Sequence, residues 1–309
     1  MLSIIDSVIP VFLLIATGWL ARVSGLIEDK NWSGIEQATY FIFFPAIIID
    51  TLARADLGSV PVLGVGGALV GAILLIAAAL LALRPFLERT IALDGPSFTS
   101  LFQGSTRWNT FIGLVMATTL FGPRGVTLMA VAIAAMVPLL NTLAFYVLAR
   151  FAGGPPQRPL QTLRSFIANP FIWSCAIGLA LNMSGLVLPK AVASFVEILG
   201  RASLAAGLLI VGAALDVRRL AKPQPVHVIA VAAKLVVLPL VAATLARLSG
   251  VIGVDLGVTI VAASVPTAGG AYALAKIMGG NAALMAEIIT IQTLAALATM
   301  PLMMALLAT

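Results

Sequence analysis

The sequence predicts an all-α integral membrane protein with ten transmembrane helices in two inverted five-helix repeats, in which helices 4 and 9 are interrupted. Three observations support this fold class. The chain is 61% hydrophobic and 10% charged, with a mean hydropathy of +1.11, whereas soluble domains are about a quarter charged. Its apolar stretches approach or exceed the roughly 20 residues that a helix needs to cross a bilayer. Its two halves also resemble one another.

The spans are predicted to be helical. Only helices and closed barrels satisfy their backbone hydrogen bonds in lipid, and long runs of Leu, Ala, Val and Ile do not resemble the short alternating strands of a barrel. Hydropathy and breaker residues give ten spans: 4–23, 33–53, 61–84, 97–121, 124–149, 165–184, 191–216, 225–248, 254–277 and 281–307. A cytoplasmic linker, 153–164, is predicted to separate an N-terminal repeat, 1–152, from a C-terminal repeat, 165–309.

Lysines and arginines predict the orientation. The loops after odd-numbered spans hold Arg22, Lys30, Arg84, Arg89, Arg150, Arg158, Arg164, Arg218, Arg219, Lys222 and Lys276. The loops after even-numbered spans hold Arg54, Arg124, Lys190 and Arg247. Because positive residues collect on the cytoplasmic side, the odd loops are expected to be cytoplasmic. Both termini are then expected outside the cytoplasm, in a multi-pass protein of the inner (plasma) membrane. The net charge of +6 therefore indicates no nucleic-acid partner.

The internal repeat is visible in two alignments. The segment "PVFLLIATGWLARVSGLIEDK" (10–30) lies over "PFIWSCAIGLALNMSGLVLPK" (170–190) with seven identities in 21 positions and no gap. Near the same offset, "NTFIGLVMATTLFG" (109–122) lies over "PTAGGAYALAKIMG" (266–279). Five spans is an odd number, so the two halves are predicted to have opposite orientations. Inverted repeats are typical of secondary transporters, whose sites lie near the midplane at discontinuous helices.

Spans 4 and 9 hold the same rank in each repeat, and both contain helix breakers. In span 9, Pro266 removes a backbone donor, and Gly269 and Gly270 make the helix easy to open. In span 4, Gly104 and Asn109 lie in "QGSTRWNTFIG" (103–113), and Asn109 is the repeat equivalent of Pro266. Two interruptions at mid-depth would place two helix N-termini there, which attract anions.

These motifs resemble the auxin efflux carrier family, which includes bacterial malonate-type carriers and is similar in plan to the bile acid/sodium symporters. The resemblance rests on "GSTRWNTFIGLVMA" (104–117), "KLVVLP" (234–239) and "VPTAGGAYALA" (265–275) and covers the whole chain. It implies crossing helices 4 and 9, a mobile unit that moves against a scaffold, and organic anion substrates such as malonate, malate or auxin. Trp108, Thr110 and Val115 depart from the family pattern, which leaves the choice of substrate open.

The predicted substrate site lies at the two interruptions. A charge in the membrane is costly and functional by default, so Arg107 is expected to bind the anion or gate its route. The alternatives are an arginine near a membrane interface or one that fixes a carboxylate such as Asp50 or Asp216. The glycines of span 9 present N–H groups to an anion or, alternatively, pack helices closely. The predicted substrate-binding residues are Ser105, Arg107, Asn109, Thr110, Thr267, Gly269 and Gly270, with Asn109 and Pro266 forming the crossover.

A second set of residues is predicted to couple or gate transport: Asp50, Asp216, Lys234, Glu287 and Gln292. Lys234 lies deep in span 8 and needs a partner, for which Glu197 and Glu287 are the candidates. A buried carboxylate could carry a coupling proton. Sodium is the alternative coupling ion, with Gln103, Ser105, Asn109, Glu287 and Gln292 as its ligands. No other cofactor, no structural metal and no catalytic residue is expected.

The function predicted is secondary transport of small organic anions by alternating access, with an elevator or rocking motion. The alternative is a sodium-coupled symporter of the bile-acid type. A membrane-embedded enzyme is disfavoured because the chain has one histidine, one cysteine and no nucleophile–base pair. A channel would not need matched interruptions in both repeats. The expected partners are the anion, the lipid bilayer and a second copy of the chain.

Overall fold

The structure is a computed structural model that describes residues 2–55, 58, 60–153, 170–186, 188–217 and 224–307, with the side chains described from residue 9 onward. Most of the predicted linker therefore lies outside the described residues, as do Arg158, Arg164, Arg218, Arg219 and Lys222. Helices account for nearly all of the regular structure, and the described residues contain no β-strand.

The helices are α1 (Leu2–Val23), α2 (Asp29–Ala38), α3 (Phe44–Ala53), α4 (Val62–Ile91), α5 (Gly95–Thr106), α6 (Thr110–Phe151), α7 (Pro170–Ser184), α8 (Lys190–Ala213), α9 (Pro225–Ala232), α10 (Leu238–Leu248), α11 (Gly253–Ser264), α12 (Gly270–Met278) and α13 (Ala282–Leu307). Two π-helical turns, Thr39–Phe43 and Ala233–Val237, continue α2 into α3 and α9 into α10.

Six helical stretches in the described part of the chain are long and apolar enough to cross a membrane: Asp29–Ala53, Val62–Ile91, Gly95–Phe151, Lys190–Ala213, Pro225–Leu248 and Ala282–Leu307. Shorter apolar helices lie at Ile9–Val23, Pro170–Ser184 and Gly253–Ser264. The all-α membrane fold is therefore confirmed, whereas ten crossings and an inverted repeat remain predictions.

The long helix α6 contains a turn at Gly122, whose φ of 58° and ψ of −145° lie near a backbone region that is essentially limited to glycine. This turn lies at the boundary predicted between spans 4 and 5. It allows the helical stretch that begins at Thr110 to change direction before Pro123.

The helices pack into two groups. The first group consists of α1, α2, α3, α7 and α8, with its closest packing between α1 and α8 and between α3 and α7. A Cβ atom at Gly18 would lie 2.0 Å from the Leu209 carbonyl oxygen, and one at Gly212 would lie 1.8 Å from the Ile15 carbonyl oxygen. The backbones of α1 and α8 are therefore in direct contact. The second group consists of α4, α5, α6 and α9–α13. The groups meet mainly along α6 and where α1 contacts α13.

Candidate functional site

The first interruption lies between α5 and α6. Arg107 and Asn109 have extended backbones, with ψ angles of 158° and 99°. The Asn109 Oδ1 accepts hydrogen bonds from the N–H groups of Phe111 at 3.0 Å and Ile112 at 3.2 Å. Asparagine is a strong N-cap because its side-chain oxygen satisfies donors that the first helical turn leaves unpaired. The span 4 sequence therefore stops one helix and starts another.

The second interruption lies between α11 and α12. Val265 is extended, with a ψ of 145°, as expected for the residue before a proline. Helix α12 then starts at Gly270, and Gly269 and Gly270 are both exposed. A Cβ atom at either position would meet open space. Neither glycine packs against another helix of the described residues, and the start of α12 is accessible.

The interruption of α5 removes the usual helical partner of the Gly104 carbonyl, the N–H of residue 108, because helices bond residues four apart. This carbonyl instead accepts hydrogen bonds from the Gln292 Nε2 at 2.7 Å and from the Thr267 hydroxyl at 2.9 Å. The Thr267 hydroxyl also lies 3.3 Å from the Arg107 carbonyl oxygen. A residue of the second interruption is thus bonded to the backbone of the first.

The interruption of α11 has the same consequence for the Ala263 carbonyl and the Thr267 N–H, which would pair in a continuous helix. The Lys234 ammonium donates to the Ala263 carbonyl at 3.0 Å. The Thr267 N–H donates to the Gln292 Oε1 at 3.1 Å. Gln292 also donates to the Ala230 carbonyl at 3.0 Å. Because a buried, unpaired polar group is costly, these two buried side chains stabilise the interrupted backbones.

Arg107 projects among uncharged polar side chains. Its Nη2 donates to the Asn141 Oδ1 at 2.9 Å, and its Nη1 lies 3.4 Å from the Gln103 Oε1. Three nearby residues along the chain carry buried polar atoms that have no hydrogen-bond partner among the described residues: the Gln103 Nε2, the Ser105 Oγ and the Trp108 Nε1. Two of these are obligate donors, and the hydroxyl can also donate. The first interruption therefore combines a cation with unused donors.

The same interruption lies against the first helix group. The rings of Phe44 and Phe111 stack with centroids 4.6 Å apart and planes 2° from parallel. Tyr40, in the π-helical turn that precedes α3, lies within electrostatic reach of Arg107. The polar groups around Arg107 are thus close to the boundary along which the two groups meet.

Comparisons with known proteins indicate similarity to membrane transport proteins. Residues 158–304 match the family of membrane transport proteins. An uncharacterized transporter of Methanothermobacter thermautotrophicus is 26% identical over 302 residues, which is 96% of each chain. The two matches support a membrane transport family. Both matches agree with the resemblance to a membrane transport family. The family points to a transporter rather than to an enzyme.

The structure corrects several pairings that were predicted from the sequence. Lys234 does not pair with Glu197 or Glu287, because its ammonium caps the carboxyl end of α11. Glu197 pairs with Arg201 at 2.6 Å, and the Glu287 Oε2 lies 2.9 Å from the His227 Nε2. The structural alternative for Arg107, a pair with Asp50, is also wrong because Asp50 pairs with Arg54 at 2.6 Å.

The site residues predicted from the sequence fall into three sets. Ser105, Arg107, Asn109, Thr110 and Pro266 lie at the interruptions, together with the exposed glycines 269 and 270. Thr267 and Gln292 lie there too, but their polar groups bond to the protein, so they position the backbone and do not face a ligand. The Asp216 N–H donates to the Thr290 hydroxyl at 3.3 Å, on the helix that carries Gln292.

Sequence reasoning missed Asn141, which fixes the Arg107 guanidinium. The only signal in the sequence was a polar amide within the apolar segment "PLLNTLAF" (138–145). The described residues contain no cluster of three or more His, Cys, Asp or Glu side chains that would hold a metal ion.

Proposed function

We propose that this protein is a secondary transporter of small organic anions, with its substrate site at the two interruptions. The observation that carries the proposal is the environment of Arg107. Its guanidinium bonds to two neutral amide oxygens, and no carboxylate of the described residues forms an ion pair with it. A cation inside a membrane protein is costly unless it is paired. An anionic substrate supplies the missing charge.

The unused donors around Arg107 favour the same type of ligand. The Gln103 Nε2 and the Trp108 Nε1 can only donate hydrogen bonds, and both lack a partner among the described residues. Carboxylate oxygens only accept. The start of α12 at Gly269 and Gly270 adds the partial positive charge of a helix N-terminus. A carboxylate is therefore the functional group that fits best.

Alternating access follows from the two helix groups. We propose that the second group, which carries both interruptions and Arg107, moves against the first group as an elevator or by rocking. The internal repeat of the sequence, with ten spans and crossing helices 4 and 9, would give two related ways to close one site. Stacked rings such as Phe44 and Phe111 form a contact that can slide, whereas the hydrogen bonds of Gln292 keep the interruptions together within the moving group.

The coupling ion in this proposal is a proton and not sodium. Sodium would need several oxygen ligands near the interruptions. The Ala263, Gly104 and Arg107 carbonyls already accept hydrogen bonds from Lys234, Gln292 and Thr267, which leaves fewer oxygens for the ion. Glu287, next to His227, is the first candidate for the proton carrier, and Asp50 and Asp216 are the others. Because of the distribution of lysine and arginine, we propose that the protein lies in the inner (plasma) membrane with both termini outside the cytoplasm.

A ligand screen tests the proposal. The purified protein in detergent is heated with malonate, malate, indole-3-acetate or a bile acid, each as its sodium and its potassium salt. We expect one carboxylate to raise the melting temperature equally with either cation. Stabilisation that requires sodium would instead indicate a symporter of the bile-acid type. No stabilisation by any of the four anions, at concentrations well above those of a typical substrate, would contradict the anion assignment.

A further inference from the structure

Two arginines flank one aromatic ring where α4 and α6 end. Arg84 lies in the last part of α4, and Arg150 and Phe151 are the last two residues of α6. The guanidinium carbon of Arg84 lies 4.2 Å from the centre of the Phe151 ring, and that of Arg150 lies 5.3 Å from the same centre. The sequence predicts that both spans end on the same face of the membrane. Two cations therefore lie close together at one membrane surface.

Aromatic rings hold Arg84 in place. The buried Phe98 lies 5.7 Å from its guanidinium carbon and meets the Phe151 ring edge-on, with centroids 5.4 Å apart. Aromatic faces attract guanidinium groups. The Arg84 Nε is buried and has no hydrogen-bond partner in the described part of the chain. The ion pair of Arg84 with Glu88 is 3.7 Å long, and Glu88 is 58% exposed, so this pair contributes little. Arg84 is thus oriented but keeps an unused donor.

The other charges near these rings leave Arg150 without a counter-charge. Arg150 is exposed and forms no ion pair with a carboxylate of the described residues. Asp94, just before α5, accepts a hydrogen bond from the Ser97 N–H and pairs with neither arginine. Like charges that lie close together repel one another. An anion between Arg84 and Arg150 would remove this repulsion.

The residues outside the described part of the chain add no carboxylate to this face. Residues 154–169, which follow α6, contain Arg158 and Arg164 and no Asp or Glu. Residues 218–223 likewise contain only basic charges. The acidic side chains that are not described are Asp6, at the start of the first span, and Asp56, after the second span. The predicted topology places both on the opposite face.

Exposed aromatic side chains place the arginines at the level of the lipid headgroups. Tyr146 precedes Arg150 by four residues on α6, which puts both on one side of the helix, and it is 62% exposed. Phe86 follows Arg84 by two residues on α4 and is 61% exposed. Tyrosine and other aromatic residues near helix ends are typical of the boundary between lipid and water. The surface beside the arginines is therefore lipid-facing.

We propose that Arg84 and Arg150 form a binding site for an anionic phospholipid. Its phosphate lies between the two guanidiniums beside the Phe151 ring, and its acyl chains lie against the lipid-facing side of Tyr146. Guanidinium groups form strong charge-assisted hydrogen bonds to phosphate, and basic groups at the ends of membrane helices recognise anionic headgroups. This site uses neither Arg107 nor the interruptions, so it does not depend on the proposed transport function.

Lipid binding to the purified protein tests the site. Native mass spectrometry in detergent compares phosphatidylglycerol with phosphatidylcholine that has the same acyl chains. We expect phosphatidylglycerol to bind at least about fivefold more tightly, because each arginine near a membrane surface attracts an anionic lipid with roughly that factor. Arg150→Gln and Arg84→Gln should each reduce this preference about fivefold. Arg150 is exposed, so its variant is decisive even if Arg84→Gln does not fold.

Arg201→Gln is the matched control. Arg201 is an exposed arginine in the first helix group, where it pairs with Glu197, and its variant should keep the full preference for phosphatidylglycerol. Equal binding of the two lipids by the wild type, an unchanged preference in Arg150→Gln, or the same loss in Arg201→Gln would each overturn the proposal. Thermal unfolding with inorganic phosphate separates a lipid from a free ion. Stabilisation by phosphate beyond that by chloride, lost in Arg150→Gln, would indicate a site for free phosphate and contradict the lipid assignment.

Discussion

The Gln292 side chain donates to the Gly104 carbonyl at 2.7 Å, across 188 positions of sequence. Gly104 lies just before the interruption in span 4, and Gln292 lies on α13. The Oε1 atom of the same amide accepts a hydrogen bond from the Thr267 N–H at the interruption of span 9. One buried amide therefore satisfies backbone groups at both interruptions and fixes their relative position.

Gln292→Met should destabilise the fold. Methionine has a similar length but cannot replace the amide, so the Gly104 and Ala230 carbonyls and the Thr267 N–H each lose a partner. Such losses cost about 1 to 3 kcal/mol per buried group, and we expect at least about 2 kcal/mol in total. Unfolding in detergent measures the loss. Thr299→Val on the same helix is the control, because that hydroxyl has no hydrogen-bond partner in the described part of the chain. Equal effects of both variants would contradict the role of Gln292.

Lys234→Met should impair transport more than stability. The lost bond to the Ala263 carbonyl destabilises the interruption, but removal of a buried charge offsets part of that cost. We expect anion uptake into proteoliposomes to fall roughly tenfold, the equivalent of one charge-assisted hydrogen bond. Lys276→Met is the control, because Lys276 is exposed. If both variants transport like the wild type, the ammonium is not needed at the interruption.

Two substitutions of Thr267 distinguish the contribution of its hydroxyl from the contribution of its side-chain shape. Thr267→Val keeps the shape but loses the bonds to the Gly104 and Arg107 carbonyls, whereas Thr267→Ser keeps the hydroxyl. We expect the valine variant to lose about 1 kcal/mol of unfolding free energy and most of its uptake, and the serine variant to retain uptake. Similar uptake by the two variants would show that the hydroxyl does not join the interruptions.

Gly122→Ala should destabilise the protein because a Cβ atom is strained at a φ of 58° and a ψ of −145°. The expected cost is about 1 to 3 kcal/mol. Gly67→Ala in α4 is the matched control: that glycine is helical, and a Cβ atom there meets open space. The control should be neutral or slightly stabilising. Thermal unfolding of the two variants measures the difference. A Gly122→Ala protein as stable as the wild type would show that the backbone at position 122 is not restricted to this conformation.

The sequence was sufficient to predict an all-helical membrane protein and the two interruptions in the described residues, because those depend on local chemistry. Apolar runs marked the helices, and asparagine, proline and glycine marked the points where the backbone stops being helical. Asn109 lies at the first interruption because its side chain caps a new helix, and Pro266 lies at the second because it lacks a backbone donor.

The partners across the fold could not be predicted in the same way. Lys234 was expected to need a carboxylate, but the interruption of α11 supplies a backbone carbonyl instead. Such a carbonyl becomes an available partner only because the helix stops, and a sequence does not show which side chain will reach it. Asn141 was missed for the same reason, since its contact with Arg107 depends on how α5 and α6 pack.

The most direct test of the central claim is equilibrium binding of the carboxylate that emerges from the ligand screen to wild type, Arg107→Ala and the control Arg89→Ala. Binding is measured by calorimetry in detergent, with folding checked by gel filtration. The account predicts that Arg107→Ala folds and binds at least about tenfold more weakly, as expected for the loss of a charged hydrogen-bond donor. It predicts that Arg89→Ala binds like the wild type. Unchanged affinity in a folded Arg107→Ala protein would contradict the assignment of the anion site.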